Sequence, residues 1–489
     1  MGRRDARHGS GRPLRWLPVF LVLALLLTAT ATYRFDLGDR WFGPGRPDPS
    51  TDPAAVPPPE GLSLPPLTPP DAVARALETT DGALDPAQVR RALAPRLDDR
   101  DLGRHVLASV SELDVPDPVF AEQTGRDTGR GAGAAMPAST MKLLTSAAAL
   151  ATLGPEHTFT TKVVTDGRNR IVLVGGGDPH LASRPVDAST YPRRADVVTL
   201  ARATARTLRR DGTRRVRLGY DDSLFQGPRF DPSWPNDYGP DGVVAPISAL
   251  WVDEGRSPSG FGRVADPPAT AAAAFSAALA RAGVAVVGQP RARRADREAV
   301  PLASVNSAPL SQIVEQTLVV SDNEAAEVLA HHVGLATGGS GSFEDGARGV
   351  QAVLGELGVP FTDARVYDGS GLSRRNRLAP ATLTGVLRIA ASDDHPELRP
   401  VLTGLPVAGF TGSLESRFED GPPQGRGRVR AKTGTLTGVS SLAGIATDLD
   451  GNPMVFVLMA DRVALADTLD AREALDAVAA ALGACHCGR

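Results

Sequence analysis

Three apolar segments near the C-terminus, Arg428–Thr433, Val439–Asp448 and Met454–Ala460, follow one another across links of five residues each. Short apolar runs joined by short links read as strands in two consecutive hairpins. A helical pattern from about Ala464 to Leu482 closes the set. Hairpins commit this part of the chain to antiparallel pairing. With helices mixed among strands elsewhere, the sequence indicates an α+β fold rather than a parallel α/β sheet.

The chain has 489 residues, more than one ordinary domain needs. Residues 1–15 carry Arg3, Arg4, Arg7, Arg12 and Arg15, a basic N-region expected to stay in the cytoplasm. The apolar run from Trp16 to Ala31 makes residues 16–33 an expected signal peptide or membrane anchor. Residues 34–71 include a proline-rich stretch that cannot build a core and reads as a semi-rigid linker. An extracytoplasmic protein, secreted or anchored through residues 16–33, is therefore expected.

Residues 72–93 read helical, and His105–Leu113 and Val119–Gln123 read as strands. Pro137–Leu153 is expected to be a helix, stopped by Gly154-Pro155. Phe159–Thr165 and Arg170–Val174 look like a hairpin. From about 156 to 300 the texture changes to short strands with helices at 195–209 and 267–282. Helical patterns return at Ala308–Val319 and Glu324–Leu335.

A net charge of −3 argues against a nucleic-acid partner. Two cysteines, Cys485 and Cys487, cannot build a disulfide framework or a four-cysteine zinc site. The basic residues are more telling. Of 53, only Lys142, Lys162 and Lys432 are lysines, and the rest are arginines. An amine can lose its proton near neutral pH and a guanidinium cannot, so each lysine marks a place where that difference could matter.

Ser139-Thr140-Met141-Lys142 opens the helix after Pro137-Ala138. A spacing of three puts the serine and lysine on one helix face, and a desolvated lysine there can accept the serine proton. The helix start also favours a developing oxyanion. Read alone, the pattern is equally an N-cap serine beside a solvated lysine. Ser321-Asp322-Asn323 lies between two helical segments, where a hydroxyl and a carboxamide could relay a proton and hold a substrate amide. Alone, it reads more simply as a turn with helix caps. Lys432-Thr433-Gly434-Thr435 ends a strand whose edge could bind an extended peptide with a terminal carboxylate, with Gly434 leaving room for substrate backbone. Its plain alternative is an edge strand guarded by lysine.

In this order the three motifs form the trio of penicillin-binding proteins and class A β-lactamases. Two of the three lysines fall on the two positions that call for an amine. PASTMKLLTSAAAL, SDNEAAEVLA and VRAKTGTLTGVSSLAG resemble the serine D-Ala-D-Ala peptidases of the low-molecular-mass class C penicillin-binding proteins. LVGGGDPHL (173–181), YDDSLF (220–225), APISAL (245–250), YDGSGLSRRNRLAP (367–380) and LPVAGFTGSLESRF (405–418) match that family in the same order.

The resemblance implies a transpeptidase/β-lactamase-like fold, an antiparallel sheet flanked by helices plus a helical lobe, with an inserted accessory domain. It places the catalytic domain at 72–155 and 300–489 and the insertion at 156–299. It implies that Ser139 is the acylated nucleophile, Lys142 its general base, and Ser321 a proton relay kept electropositive by Lys432. Asn323 would hold the acyl side of the substrate, and Thr433, Gly434 and Thr435 its carboxylate end. Backbone amides of Ser139 and Thr435 would form the oxyanion hole. The implied enzyme is a D,D-carboxypeptidase acting on peptidoglycan stem peptides ending in D-Ala-D-Ala, with D,D-endopeptidase activity open to the same site. It would be acylated by β-lactams and would need no metal or organic cofactor.

Some features are set aside. Gly175-Gly176-Gly177-Asp178 lacks the lysine and spacing of a phosphate loop and reads as a tight turn. The adjacent His331 and His332 diverge on a helix, and Cys485-His486-Cys487 lacks a fourth metal ligand. A β-lactamase would need a deacylation device, and Glu356-Leu357-Gly358 does not look like the one class A enzymes use. A vestigial wall-binding protein would hardly keep both motif lysines.

Overall fold

The computed structural model describes residues 83–127, 133–167 and 169–488. The expected N-region, the 16–33 segment, the linker and the first part of the 72–93 helical pattern lie outside the described residues. Helix α1 (Pro86–Leu97) is capped by Asp85, whose carboxylate accepts from Ala87 N, with proline in the first turn. Strands β1 (His105–Glu112) and β2 (Phe120–Thr124) follow, then a 3-10 turn at Ala138–Thr140 that runs into α2 (Met141–Leu153). The middle of the chain holds β3 (Thr160–Gly167), β4 (Arg170–Val174), α3 (Val197–Arg210), β5 (Arg215–Asp221) and α4 (Pro267–Arg281). It ends with β6 (Ala285–Val286), β7 (Arg291–Ala292) and β8 (Val300–Asn306). Next come α5 (Leu310–Val319), α6 (Asn323–Ala336), α7 (Phe343–Glu356), α8 (Pro380–Ala391) and the short α9 (Pro400–Thr403). Strands β9 (Val429–Leu436), β10 (Val439–Thr447) and β11 (Pro453–Asp461), then α10 (Thr468–Gly483), complete the order.

The first sheet is antiparallel, in the order β2-β1-β11-β10-β9. Both C-terminal hairpins form as the short links require. Along β11, Met454, Phe456, Leu458 and Ala460 pack with Val89 and Leu93 of α1 and Leu475 and Val478 of α10. The alternate residues Val455, Val457 and Met459 pack with Leu143 and Leu144 of α2, Ile313 of α5 and Leu383 of α8. A strand's period of two sends neighbours to opposite faces, and here helices cover both. That is why β11 reads as an unbroken apolar run.

The second sheet has the order β6-β5-β4-β3-β8, with β7 also pairing with β5. It is mixed: β3 pairs antiparallel with β4 and β8, whereas β5 pairs parallel with β4, β6 and β7. The parallel pairs arise because α3 and α4 supply the long crossovers that parallel neighbours need. Leu200, Ala205 and Leu208 of α3 and Phe275 and Leu279 of α4 pack against Val163, Leu173 and Leu218 of this sheet. Strand β8 belongs here, pairing with β3 from Asn306 back to Val300. The second sheet therefore runs past residue 299, into a stretch the sequence assigns to the other domain.

At the C-terminus Cys485 and Cys487 are bonded to each other. This single bridge, not foreseen from the sequence, uses both thiols and removes them as metal ligands. The same turn is tied to the start of α1, with Asp85 N donating to Cys487 O at 2.8 Å.

Candidate active site

Ser139 sits in the 3-10 turn that leads into α2 and is partly open to solvent, between buried Ala138 and Thr140. Ala138 has φ 45°, a left-handed conformation that costs a residue with a Cβ about 1–2 kcal/mol. Several contacts hold it there. Thr140 Oγ1 and Ser441 Oγ both donate to Pro137 O, at 2.7 and 2.5 Å. Met136 N donates to Asp461 Oδ2 at 3.0 Å, and the other oxygen of that carboxylate meets His105 Nδ1 at 2.5 Å. Gly371, at φ 87°, lies so close that a Cβ would fall 1.8 Å from Ala138 O. The sheet and the 367–380 loop together impose the turn on which the serine stands.

Lys142 lies one α-turn beyond Ser139 and is fully buried. Its Nζ contacts Ser139 Oγ at 3.0 Å, Asn323 Oδ1 at 2.8 Å and Ser370 O at 2.8 Å. The two other oxygens can only accept, so both must receive an N–H from the amine. Ser139 alone among the three can donate. A neutral Lys142 therefore has its lone pair aimed at the Ser139 hydroxyl. Burial pushes the Lys142 pKa down to about 8, against carboxylates at Glu327, Asp322, Asp368 and Glu324 that favour the charged form.

Lys432 is also fully buried, and its Nζ donates to Ser321 Oγ at 2.8 Å and Thr433 O at 2.9 Å. Burial, then the nearby cations Lys142 and Arg417, hold its pKa well below the ordinary value. A charge on Lys142 thus opposes one on Lys432. Lys162, the third lysine, is exposed on β3 and takes no part.

Ser321 has φ 60° and Asp322 caps α6, its Oδ1 accepting from Ala325 N at 2.9 Å. The turn is thus a helix cap as well as part of the site. The cap sends Ser321 towards Lys432 and Asn323 towards Lys142, whose amine also contacts Ser139. Asn323 Nδ2 reaches Val243 O at 3.5 Å, which orients the amide.

Strand β9 is the free edge of the first sheet. Its first half is covered, since Ala431 N donates to Pro406 O at 2.9 Å. Successive N–H groups alternate along a strand, so those of Thr433 and Thr435 point the same way as that of Ala431, out from the sheet. Thr435 is exposed, and Thr433 Oγ1 shares a hydrogen bond with Ser413 Oγ at 2.8 Å. Gly434 plays a different part from the one expected. A Cβ there would lie 2.6 Å from Pro137 O and 3.0 Å from Ser139 N. Its bareness lets β9 abut the turn that carries Ser139.

The structure brings Ser139, Lys142, Ser321, Asn323 and Lys432 together, with Thr433, Gly434 and Thr435 along the adjoining edge. It adds residues whose roles the sequence does not show. Buried Glu327 accepts from Gly369 N at 3.0 Å and Ser370 N at 2.7 Å, fixing the carbonyl that Lys142 contacts. Burial and the neighbouring Asp368 raise the Glu327 pKa well above the usual carboxylate range. Asp368 in turn accepts from Gly371 N, Ser373 N, Asn376 Nδ2 and Trp234 Nε1 at 2.6–3.0 Å. The stretch YDGSGLSRRNRLAP marks this loop, but no composition or spacing says that its product is one placed carbonyl. His331 Nδ1 donates to Glu327 O and His332 Nε2 to Gly177 O, and burial lowers their pKa to about 4 and about 3. Both are core residues.

The model of the D-Ala-D-Ala carboxypeptidase 3 (S13) family matches residues 89–261 and 257–482 of the chain. This chain belongs to that family. Carboxypeptidase DacB of Mycolicibacterium smegmatis is 35% identical over 403 residues, covering 79% of this chain and 85% of that protein. A carboxypeptidase of Mycobacterium tuberculosis is 34% identical over 441 residues, covering 86% and 90%. The D-alanyl-D-alanine carboxypeptidase of an Actinomadura species is 31% identical over 430 residues, covering 70% and 76%. Penicillin-binding protein 4 of Haemophilus influenzae aligns with TM-score 0.63 at 20% identity, over 80% of this chain and 98% of that one. That likeness is one of fold, the α+β transpeptidase/β-lactamase-like arrangement. As an S13 member the chain is a serine-type D-Ala-D-Ala carboxypeptidase.

Proposed function

We propose that Ser139 is the nucleophile and Lys142 the base of an acyl-enzyme mechanism on peptidoglycan stem peptides. The partner set of Lys142 carries this reading, because its lone pair, when neutral, has only the Ser139 hydroxyl to face. The serine Oγ attacks the carbonyl of the penultimate D-Ala while its proton passes to Lys142 Nζ. The resulting oxyanion is held by the backbone N–H groups of Ser139 and Thr435, the second of which points out from the free edge. The C–N bond breaks as Ser321 gives its proton to the leaving D-Ala amine and takes the one held by Lys142, with Lys432 supplying the N–H that steadies Ser321. Water then attacks the ester by the same route in reverse, freeing Ser139 and the shortened peptide.

The terminal carboxylate of the substrate docks at Thr433 and Thr435, beside Lys432. A negative charge there favours a charged Lys432, which through like-charge repulsion favours a neutral Lys142. Substrate binding thus prepares the base. The same edge accepts a cross-linked D-Ala amide, giving D,D-endopeptidase activity. A β-lactam acylates Ser139 by ring opening and keeps its leaving group tethered, which delays hydrolysis.

The substrate lies outside the cytoplasm, and the basic-then-apolar N-terminal residues 1–33 suit export with the start left inside. No described helix is long and apolar enough to cross a membrane. We place membrane attachment, where it exists, in residues 16–33. The test of function is D-alanine release from a pentapeptide ending in D-Ala-D-Ala. Wild type should release one D-alanine per peptide and Ser139→Ala none; equal release by both would refute the assignment.

A further inference from the structure

The glycine run at 175–177 does not form the tight turn expected of it. A Cβ at Gly175 would lie 2.3 Å from Ala249 O, and one at Gly176 would lie 2.0 Å from Thr160 O. At Gly177, with φ 70°, it would meet the His332 ring at 2.3 Å. The chain is threaded through a space with no room for side chains. Beyond it, Trp251 Nε1 donates to Asp178 O and Pro179 O at 3.0 and 3.2 Å, and His180 N donates to Asp178 Oδ1 at 2.9 Å. These contacts deliver His180, 3% exposed, to the catalytic turn. Its Nε2 lies 3.3 Å from Asp322 Oδ2.

We infer that His180 is a positioning residue, through which the accessory segment that follows β4 clamps the Ser321–Asn323 turn. The inference rests on the acyl-enzyme reading above. Asp322 is flanked by the two residues that touch the catalytic lysines, and its other oxygen is already fixed on Ala325 N. With this carboxylate held from both sides, the turn cannot shift without breaking one of the two contacts, and a shift would move Ser321 off Lys432 and Asn323 off Lys142. Because Asp322 accepts, Nε2 carries a proton. The other nitrogen, Nδ1, is buried with no hydrogen-bond partner, so the ring is committed to this single contact.

His180, Asp322 and Glu254 also bring ligand atoms within 4.8 Å of one another, the spacing of a metal site. The charges favour the clamp instead. Glu254 is paired with Arg194 at 3.3 Å and with Arg256 at 2.7 Å, which supplies its countercharge and opposes a cation. Asp322 keeps only one oxygen free of the helix cap.

The experiment measures the rate constant of benzylpenicillin acylation for wild type, His180→Leu, His180→Gln and His180→Asn on the full chain. Acylation of wild type at Ser139 is the control, and its failure would refute the active-site reading, not the clamp. A shift of the turn by an ångström predicts a rate constant lowered about ten- to a hundredfold in His180→Leu, with penicillin binding before acylation little changed. The amide of glutamine reaches the place of Nε2 and should restore most of the rate, while asparagine is too short and should not. A His180→Leu enzyme as fast as wild type would overturn the clamp. So would loss only in the fraction of protein acylated, which marks poor folding. If His180→Leu yields no folded protein, the glutamine and asparagine variants decide, and equal rates for the two refute the inference. A wild-type rate that falls with EDTA and recovers with zinc would replace the clamp by a metal site.

Discussion

At the scale of single residues, the site depends on an amine kept from its usual charge. Fifty of the 53 cations are guanidiniums, yet the two buried cations beside the serines are lysines. Lys142→Arg should keep a cation but lose the base, lowering acylation by roughly 10²–10⁴-fold, as expected for losing general-base catalysis. A melting curve run in parallel separates that loss from unfolding. The sign of the pH dependence follows from the same group. Lys142 acts only when neutral and its pKa lies at about 8, so acylation should rise from pH 6 and level off above pH 9. The slope is positive because deprotonation activates. A rate that falls across this range would mean that a protonated group drives the step.

At the scale of elements, the turn that carries Ser139 is wedged between β9 and the 367–380 loop. Gly434→Ala would drive a methyl into Pro137 O and Ser139 N, costing about 1–3 kcal/mol by overpacking. Its D-alanine release should fall with its melting temperature. Gly371→Ala, adding strain at positive φ and a clash with Ala138 O, should cost more. An alanine at either position that leaves activity and stability unchanged would contradict this packing. The sequence shows these elements unevenly. The C-terminal hairpins, α2 and the motif residues are legible because local pattern and residue type fix them. The parallel pairs of β5 are not, since they depend on where α3 and α4 return the chain. The carbonyl of Ser370 and the reach of His180 are invisible for the same reason: each is a product of contacts between residues far apart in sequence. Gly434 shows the converse, a legible residue whose neighbour is protein and not substrate.

At the scale of the whole molecule, the two sheets divide the work. On the proposed reading, the first carries the nucleophile and the substrate edge, and the second, through the segment after β4, braces the turn opposite. Residues 1–33, on the same proposed reading, decide where the enzyme resides. If the 16–33 segment is retained, the full chain should sediment with membranes and carbonate should not release it; a soluble protein beginning near residue 32 would show cleavage after Ala31. The central claim, that Ser139 is the nucleophile of an acyl-enzyme, is tested most directly by intact-protein mass spectrometry after exposure to benzylpenicillin. Wild type should gain one penicillin mass, lost slowly, and Ser139→Ala none. An adduct on Ser139→Ala, or no adduct on wild type, would contradict it.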